Sequence, residues 1–347
     1  MSSPEYPYDP YSAPVKLDQN EASEDFPDAL KQQVMDRVSA APWHRYPDLH
    51  ARELSQLIAR HDDWPAAGVV VSTGSNVMIP LLIQLTALRG RVITTKPNFG
   101  LYSLDAGLMG ASLIEVALND DFSMDVDRVI ETIDDTPGAP GDEPNGIIFV
   151  SQPHAPTGTV APVQELEQLA QAAQHWLLVI DEAYYQFAGS HAVDLARRYN
   201  NIVLLRTFSK AWGLAGLRLG YALAGETVAA NLRKLLPPFG VSTMQLVSAC
   251  VALENPAYMR ERVRRTVAER VRVSEALAAH PSWQVIPSAT NFVLIKTPDA
   301  AQAHARLLTA GVLVRRQDKL FGLAGCLRVT IGTPAENDAF LKAAMQA

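Results

Sequence analysis

The chain has 347 residues, 48% hydrophobic and 19% charged, with a formal net charge of −7. That length exceeds one ordinary domain, and the acidic balance disfavours nucleic acid or an anionic membrane as partner, while leaving room for a small anion held by local arginines. Cys250 and Cys326 have neither metal-ligand nor disulfide-framework spacing, no apolar stretch reaches a membrane span, and Met1 to Pro14 lacks a basic-then-apolar leader, so a reducing cytoplasmic setting is expected.

Pro4, Pro7, Pro10 and Pro14 predict an extended arm over about the first 25 residues. From Asp28 the apolar spacing turns helical, breaks at Pro42, and resumes at Leu49 to Ala59. Short apolar runs then alternate with helical stretches. Val69 to Val71, Arg91 to Thr95, Ile147 to Val150, Leu177 to Ile180 and Ile202 to Leu205 read as strands, which predicts βα units on a mainly parallel sheet. Residues 136 to 146 read as a loop within that alternation. Beyond Pro237-Pro238 the pattern changes to α+β. A long helix is predicted over Met259 to Leu277, with strands at Trp283 to Ile286, Asn291 to Ile295, Val312 to Arg315 and Cys326 to Ile331.

Several turns at strand ends carry chemistry. In Arg206-Thr207-Phe208-Ser209-Lys210-Ala211-Trp212-Gly213-Leu214-Ala215-Gly216-Leu217-Arg218, Lys210 follows a strand among small and apolar neighbours. Partial desolvation there lowers an amine's pKa and makes it a nucleophile towards a carbonyl. Arg218 offers a planar fork suited to phosphate. Asp181 ends an apolar run, so its carboxylate needs a cap or a cation. Ser72-Thr73-Gly74-Ser75-Asn76 is a turn whose N–H groups suit phosphate at a helix start. Phe99 could stack on a flat ring, and Arg315 and Arg328 lie in predicted strands, where a buried guanidinium needs an anion. The loop Ser151-Gln152-Pro153-His154-Ala155-Pro156-Thr157-Gly158 joins a strand to a helix at the edge where open α/β sheets place ligands. No P-loop, GxSxG, CxxC or dinucleotide fingerprint competes.

Jointly these parts describe one ligand, a flat aromatic aldehyde with a ring nitrogen and a phosphate, which is pyridoxal phosphate. The chain resembles the fold-type I aminotransferases, and within them the histidinol-phosphate aminotransferase family, nearly end to end. Lys16 to Glu21, Arg45 to Asp48, Thr73 to Asn76, Pro153 to Gly158, Asp181 to Tyr184, Arg206 to Tyr221, Asn291-Phe292, Val314-Arg315 and Gly325 to Thr333 carry the resemblance. It implies a large domain over 28–240, a small α+β domain over 241–347, and an arm over 1–27 joining the small domain. It also implies a catalytic set of Lys210 as the Schiff-base lysine and proton shuttle, Asp181 at the ring nitrogen, and Tyr184 donating to O3′. Gly74, Ser75, Asn76, Thr207, Ser209 and Arg218 are implied around the phosphate, Phe99 over the ring, and Tyr46 reaching in from a partner subunit of a homodimer. For substrate it implies Arg328 at the α-carboxylate with Asn20 nearby, and Tyr11 with Arg315 at the distal phosphate. The implied reaction is amino transfer between glutamate and imidazole-acetol phosphate. Amino transfer to aromatic acids, decarboxylation of phosphothreonine and a silent cofactor-fold relative are the alternatives.

Two departures stand out. The family commonly has an acidic pair after the glycine turn, where this chain has Asn76-Val77. The family's loop reads Pro-Asn-Asn-Pro-Thr-Gly, and its second Asn donates to O3′; here that position is Ala155, without a donor. The expectation is that Tyr184, with His154 or a water, carries this contact.

Overall fold

The computed structural model describes residues 11–86, 90–136 and 146–346. The expected loop over 136–146 and the last residues of the helix expected at Ile79 to Leu88 therefore fall largely or partly outside the described residues. The first strand, β1 (Val15–Leu17), belongs to a second sheet described below. The main sheet holds β2 (Val69–Ser72), β3 (Arg91–Lys96), β4 (Ser112–Ala117), β5 (Ile147–Ser151), β6 (Leu177–Asp181), β7 (Ile202–Thr207) and β8 (Gly220–Leu223). Its order is β2-β8-β7-β6-β5-β3-β4, and only β8 runs against its neighbours. Every residue of β5, β6 and β7 is buried, which is why these strands read as unbroken apolar runs rather than as alternating ones. Two strands lay hidden in the sequence. β4 alternates weakly, and β8 is four residues at the end of the glycine-rich stretch.

Helices α1 (Asp28–Ala40), α2 (Arg52–Asp62), α3 (Ser75–Thr86), α4 (Leu101–Leu108), α5 (Val126–Asp134), α6 (Val163–Ala172), α7 (Tyr185–Ala188), α8 (Val193–Arg198) and α9 (Glu226–Leu235) connect and cover this sheet. α10 (Thr243–Glu254) begins at a capping box, Ser242 with Gln245. The expected boundary at 241 gives α10 to the small domain. Its Ala249, Cys250 and Val251 join the core that holds Leu30 and Val34 of α1, Leu54 and Ile58 of α2, and also Met259 of the next helix and Phe292 of the second sheet.

The second sheet has the order β1-β11-β12-β10-β9, with β9 (Gln284–Ile286), β10 (Phe292–Lys296), β11 (Val312–Arg316) and β12 (Cys326–Thr330). α11 (Ala257–Ala278), α12 (Ala300–Thr309) and α13 (Pro334–Ala344) cover one face of it. β1 pairs parallel with β11, Leu17 opposite Val314, so the arm is bound into this sheet by backbone bonds. Val312, Val314, Leu327 and Val329 point into the core beneath the helices. On strand alternation Arg315 and Arg328 face the other way, towards the larger part. No helix among the described residues is long and apolar enough to cross a membrane.

Candidate active site

The carboxyl ends of β3, β5, β6 and β7 share one edge of the main sheet, and the strand order changes direction between β3 and β5. Such a switch point opens a crevice where loops from both sides meet. Asp181 ends β6, Thr207 ends β7, the Ser151 to Gly158 loop leaves β5, and Phe99 follows β3.

Lys210 lies in the turn after β7. Its Nζ donates to the carbonyl of Gln19 in the arm at 3.0 Å and stands 5.8 Å from the centre of the Tyr184 ring. Burial, helped by the charges of Arg328 and Arg218, brings the amine down to about 7. Asp181 is pushed up to about 6 by burial, against hydrogen bonds from the Tyr102 hydroxyl (2.8 Å, to Oδ2) and the Ala183 N–H (3.1 Å, to Oδ1). An amine and a carboxylate thus titrate close to neutrality in one crevice, the pattern of groups tuned for proton transfer.

A second cluster suits an oxyanion. Gly74 has φ +99°, a conformation glycine adopts without strain, and Ser75 next to it opens the 12-residue helix α3. A Cβ at Gly74 would lie 2.9 Å from Nη2 of Arg218. Nη1 of Arg218 donates to Ser209 Oγ at 3.3 Å, and the Ser209 N–H is held by Thr207 Oγ1 at 3.0 Å. Asn76 follows Ser75 in the first turn of α3, partly exposed. Gln245 of α10 grips the carbonyls of Leu217 (2.9 Å) and Arg218 (2.8 Å), steadying the left-handed backbone at Arg218. Gln245 had no assigned role in the sequence reading.

Asn20 ties the arm to Tyr184 and to β12. Its Nδ2 donates to the Tyr184 hydroxyl at 2.9 Å, while Thr330 Oγ1 donates to its Oδ1 at 3.2 Å. The Tyr184 oxygen therefore accepts from Asn20, and its proton is left for another partner. Arg328 Nη2 donates to the Asp18 carbonyl at 2.9 Å, with the guanidinium 5.4 Å from the Phe292 ring centre. Arg315 lies directly opposite Arg328 in the β11–β12 register.

Not every expected residue meets this crevice within one chain. Tyr46 is 80% exposed and stacks on Phe239 at 4.5 Å. Tyr11 is half exposed and rests beside His304 of α12, 5.9 Å between ring centres. Ala155 is buried, its N–H on Ser151 Oγ at 3.2 Å. His154 has both ring nitrogens engaged, with Thr95 Oγ1 (3.2 Å) and Thr157 Oγ1 (2.7 Å), and burial lowers it to about 4. A neutral, fully bonded imidazole has no donor to spare, so His154 braces the loop and the O3′ contact expected of it falls to other groups.

The buried amine, the carboxylate and the guanidinium beside a helix start match the aldehyde, ring nitrogen and phosphate of pyridoxal phosphate. The glycine at 74 leaves the space a Cβ would fill. The sequence matches the family Aminotransferase class I and II over residues 12–343. This chain belongs to the class I and II aminotransferases. The aminotransferase is 46% identical to a histidinol-phosphate aminotransferase of Deinococcus radiodurans, covering 98% of this chain and 93% of that protein. A second such relative, from Thermococcus kodakarensis, is 39% identical over 95% of this chain and 91% of its own length. Among solved structures it resembles a Sinorhizobium meliloti histidinol-phosphate aminotransferase in complex with pyridoxal-5′-phosphate, with a TM-score of 0.86 and 25% identity, covering 96% of this chain and 91% of that one. The cofactor of the aminotransferase is pyridoxal phosphate.

Proposed function

We propose that the enzyme moves an amino group between glutamate and imidazole-acetol phosphate, with 2-oxoglutarate and L-histidinol phosphate as the other pair, a step of histidine biosynthesis in the cytoplasm. The names of its relatives support this reading. The observation that carries it is the direct opposition of Arg315 and Arg328 on neighbouring antiparallel strands. Like charges opposed across a sheet repel. An anion placed between them offsets the repulsion and gains charge-assisted hydrogen bonds. A phosphate monoester and a dicarboxylic acid both meet that demand, whereas a substrate with an apolar side chain brings a single carboxylate.

When bound, pyridoxal phosphate supplies a carbonyl for the amine and a ring that draws electrons from the adjoining carbon. Lys210 provides the resident amine, and in its neutral form takes the proton from the substrate Cα. Asp181 holds a proton at the ring nitrogen. Gly74, Ser75 and Asn76 with Thr207, Ser209 and Arg218 would hold the phosphate, and Phe99 would lie over the ring, with Ala155 in the neighbouring loop. Tyr184, oriented by Asn20, directs its hydroxyl proton to O3′. Arg328 and Arg315 hold the substrate's anions.

With 2-oxoglutarate as acceptor, kcat/KM for L-histidinol phosphate should exceed that for L-phenylalanine by roughly 100-fold or more, the worth of one charge-assisted pair. Equal values, or release of carbon dioxide from O-phospho-L-threonine as the faster reaction, would sink this assignment.

We also propose a homodimer with shared sites. Trp43 and Tyr46 are 78% and 80% exposed, and Phe239 lies against Tyr46. Clustered exposed aromatics of this kind mark protein contacts, and Tyr11 and Tyr46 then serve the neighbouring crevice. Sedimentation equilibrium should give twice the chain mass, and Tyr46→Ala should weaken cofactor binding. A monomer with full cofactor affinity would refute the dimer.

A further inference from the structure

We propose that Tyr102 is the residue that positions Asp181 for the cofactor, holding its carboxylate ionised and in a fixed plane. This rests on the role given to Asp181 above and extends it to a side chain that no sequence motif marked. Tyr102 lies in α4 and is 1% exposed. Its ring stacks on Phe149 of β5, with centres 4.8 Å apart and planes 10° apart. On another side it meets Phe99 edge-on, at 5.6 Å and 80°. Two aromatic contacts leave this ring one orientation, so the hydroxyl is delivered to Asp181 Oδ2 at 2.8 Å rather than drawn there by chance.

Each oxygen of Asp181 thus receives one donor, Tyr102 on Oδ2 and the Ala183 N–H on Oδ1. That pair sets the carboxylate plane and leaves each oxygen further lone-pair capacity for a ligand. Tyr102 also touches Phe99, so one side chain supports both the group at the ring nitrogen and the group over the ring face. The other ionisable neighbours of Asp181 pull in opposite directions. Glu182 raises its pKa and Lys210 lowers it, while Asp181 in turn acts on Tyr184. Of the two donors, only the Tyr102 hydroxyl is removable by substitution.

Tyr102→Phe keeps both ring contacts and deletes the hydroxyl alone. Losing a donor to a buried carboxylate should move Asp181 protonation up by about 1–2 pH units. The apo-variant should then bind pyridoxal phosphate about 3- to 25-fold more weakly than the apo wild type at pH 6.5, and within about twofold of it by pH 8.5. Taking the ratio of the two proteins at each pH removes the titration of Lys210 that both share. Affinity read from quenching of protein fluorescence gives the answer without an activity assay. Equal affinities throughout would overturn the proposal. So would a constant, pH-independent factor, which marks packing alone. Asp181→Asn separates the two levels of inference. If it binds the cofactor weakly while Tyr102→Phe matches the wild type, only the role of Tyr102 falls. If Asp181→Asn also matches the wild type, the role given to Asp181 falls and takes that of Tyr102 with it.

Discussion

Lys210→Ala should lower kcat for amino transfer by at least about 10⁴-fold, because it removes both the resident amine and the proton carrier in one step. The effect rests on the burial that brings this amine to about 7. About half of it is unprotonated at pH 7, against roughly one part in 3,000 for an ordinary lysine. Arg328 and Arg218 add to the depression, so occupying them with substrate and phosphate should raise it again. Borohydride treatment of the wild-type holoenzyme, followed by peptide mass spectrometry, should place the label on Lys210. A label on another lysine, or a variant retaining a tenth of the activity, would contradict the assignment. Added small amines should restore part of the rate to Lys210→Ala without restoring it to Asp181→Asn, since only the first variant lacks a base that a free amine replaces.

Arg206→Met should destabilise the protein by about 3–5 kcal/mol. Arg206 is 1% exposed and bridges Asp62 of α2 at 2.7 Å and Glu182 at 2.6 Å, with its guanidinium 4.0 Å from the ring centre of Tyr185. Methionine fills much of the volume but leaves two carboxylates buried without their cation, and an uncompensated buried charge is the costly outcome. The cost should reach the active site, because Glu182 adjoins Asp181 and Arg206 adjoins Thr207. Urea unfolding measures it, with Arg264→Met as the comparison. The Arg264–Glu261 pair has side chains 71% and 48% exposed, and its loss should cost less than about 1 kcal/mol. Similar midpoints for the two variants would show that the buried cluster contributes little.

Lys210, Asp181 and Arg218 were legible because their signals are local. Lys210 follows a strand end, Asp181 closes a strand, and Arg218 lies in the glycine-rich stretch after Lys210, where composition implies both the turn and the desolvation. Arg206 lay in the same stretch, yet nothing near it named Asp62 or Glu182 as partners. Tyr102 stands three residues after Phe99 where α4 begins, but its partner Asp181 is 79 residues away and nothing local named it. Asn20 was read as a neighbour of the substrate, and its bonds to Tyr184 and Thr330 span 164 and 310 residues. The packing of α10 against α1 and α2 likewise joins residues far apart in the chain. His154 was read by its chemistry, and burial keeps it neutral while its two threonine partners engage both ring nitrogens.

The sequence by itself determined the βα alternation, the two-part organisation and the set of groups around Lys210, because backbone propensity, turn chemistry and strand burial are properties of contiguous residues. Only the tertiary structure decided how those groups are held. Hydrogen bonds such as Tyr102 to Asp181, the Asp62–Arg206–Glu182 cluster and the opposition of Arg315 to Arg328 depend on strand order and register. Those are fixed by packing the whole chain, since a one-residue slip in β11 would turn Arg315 towards the core and end its opposition to Arg328.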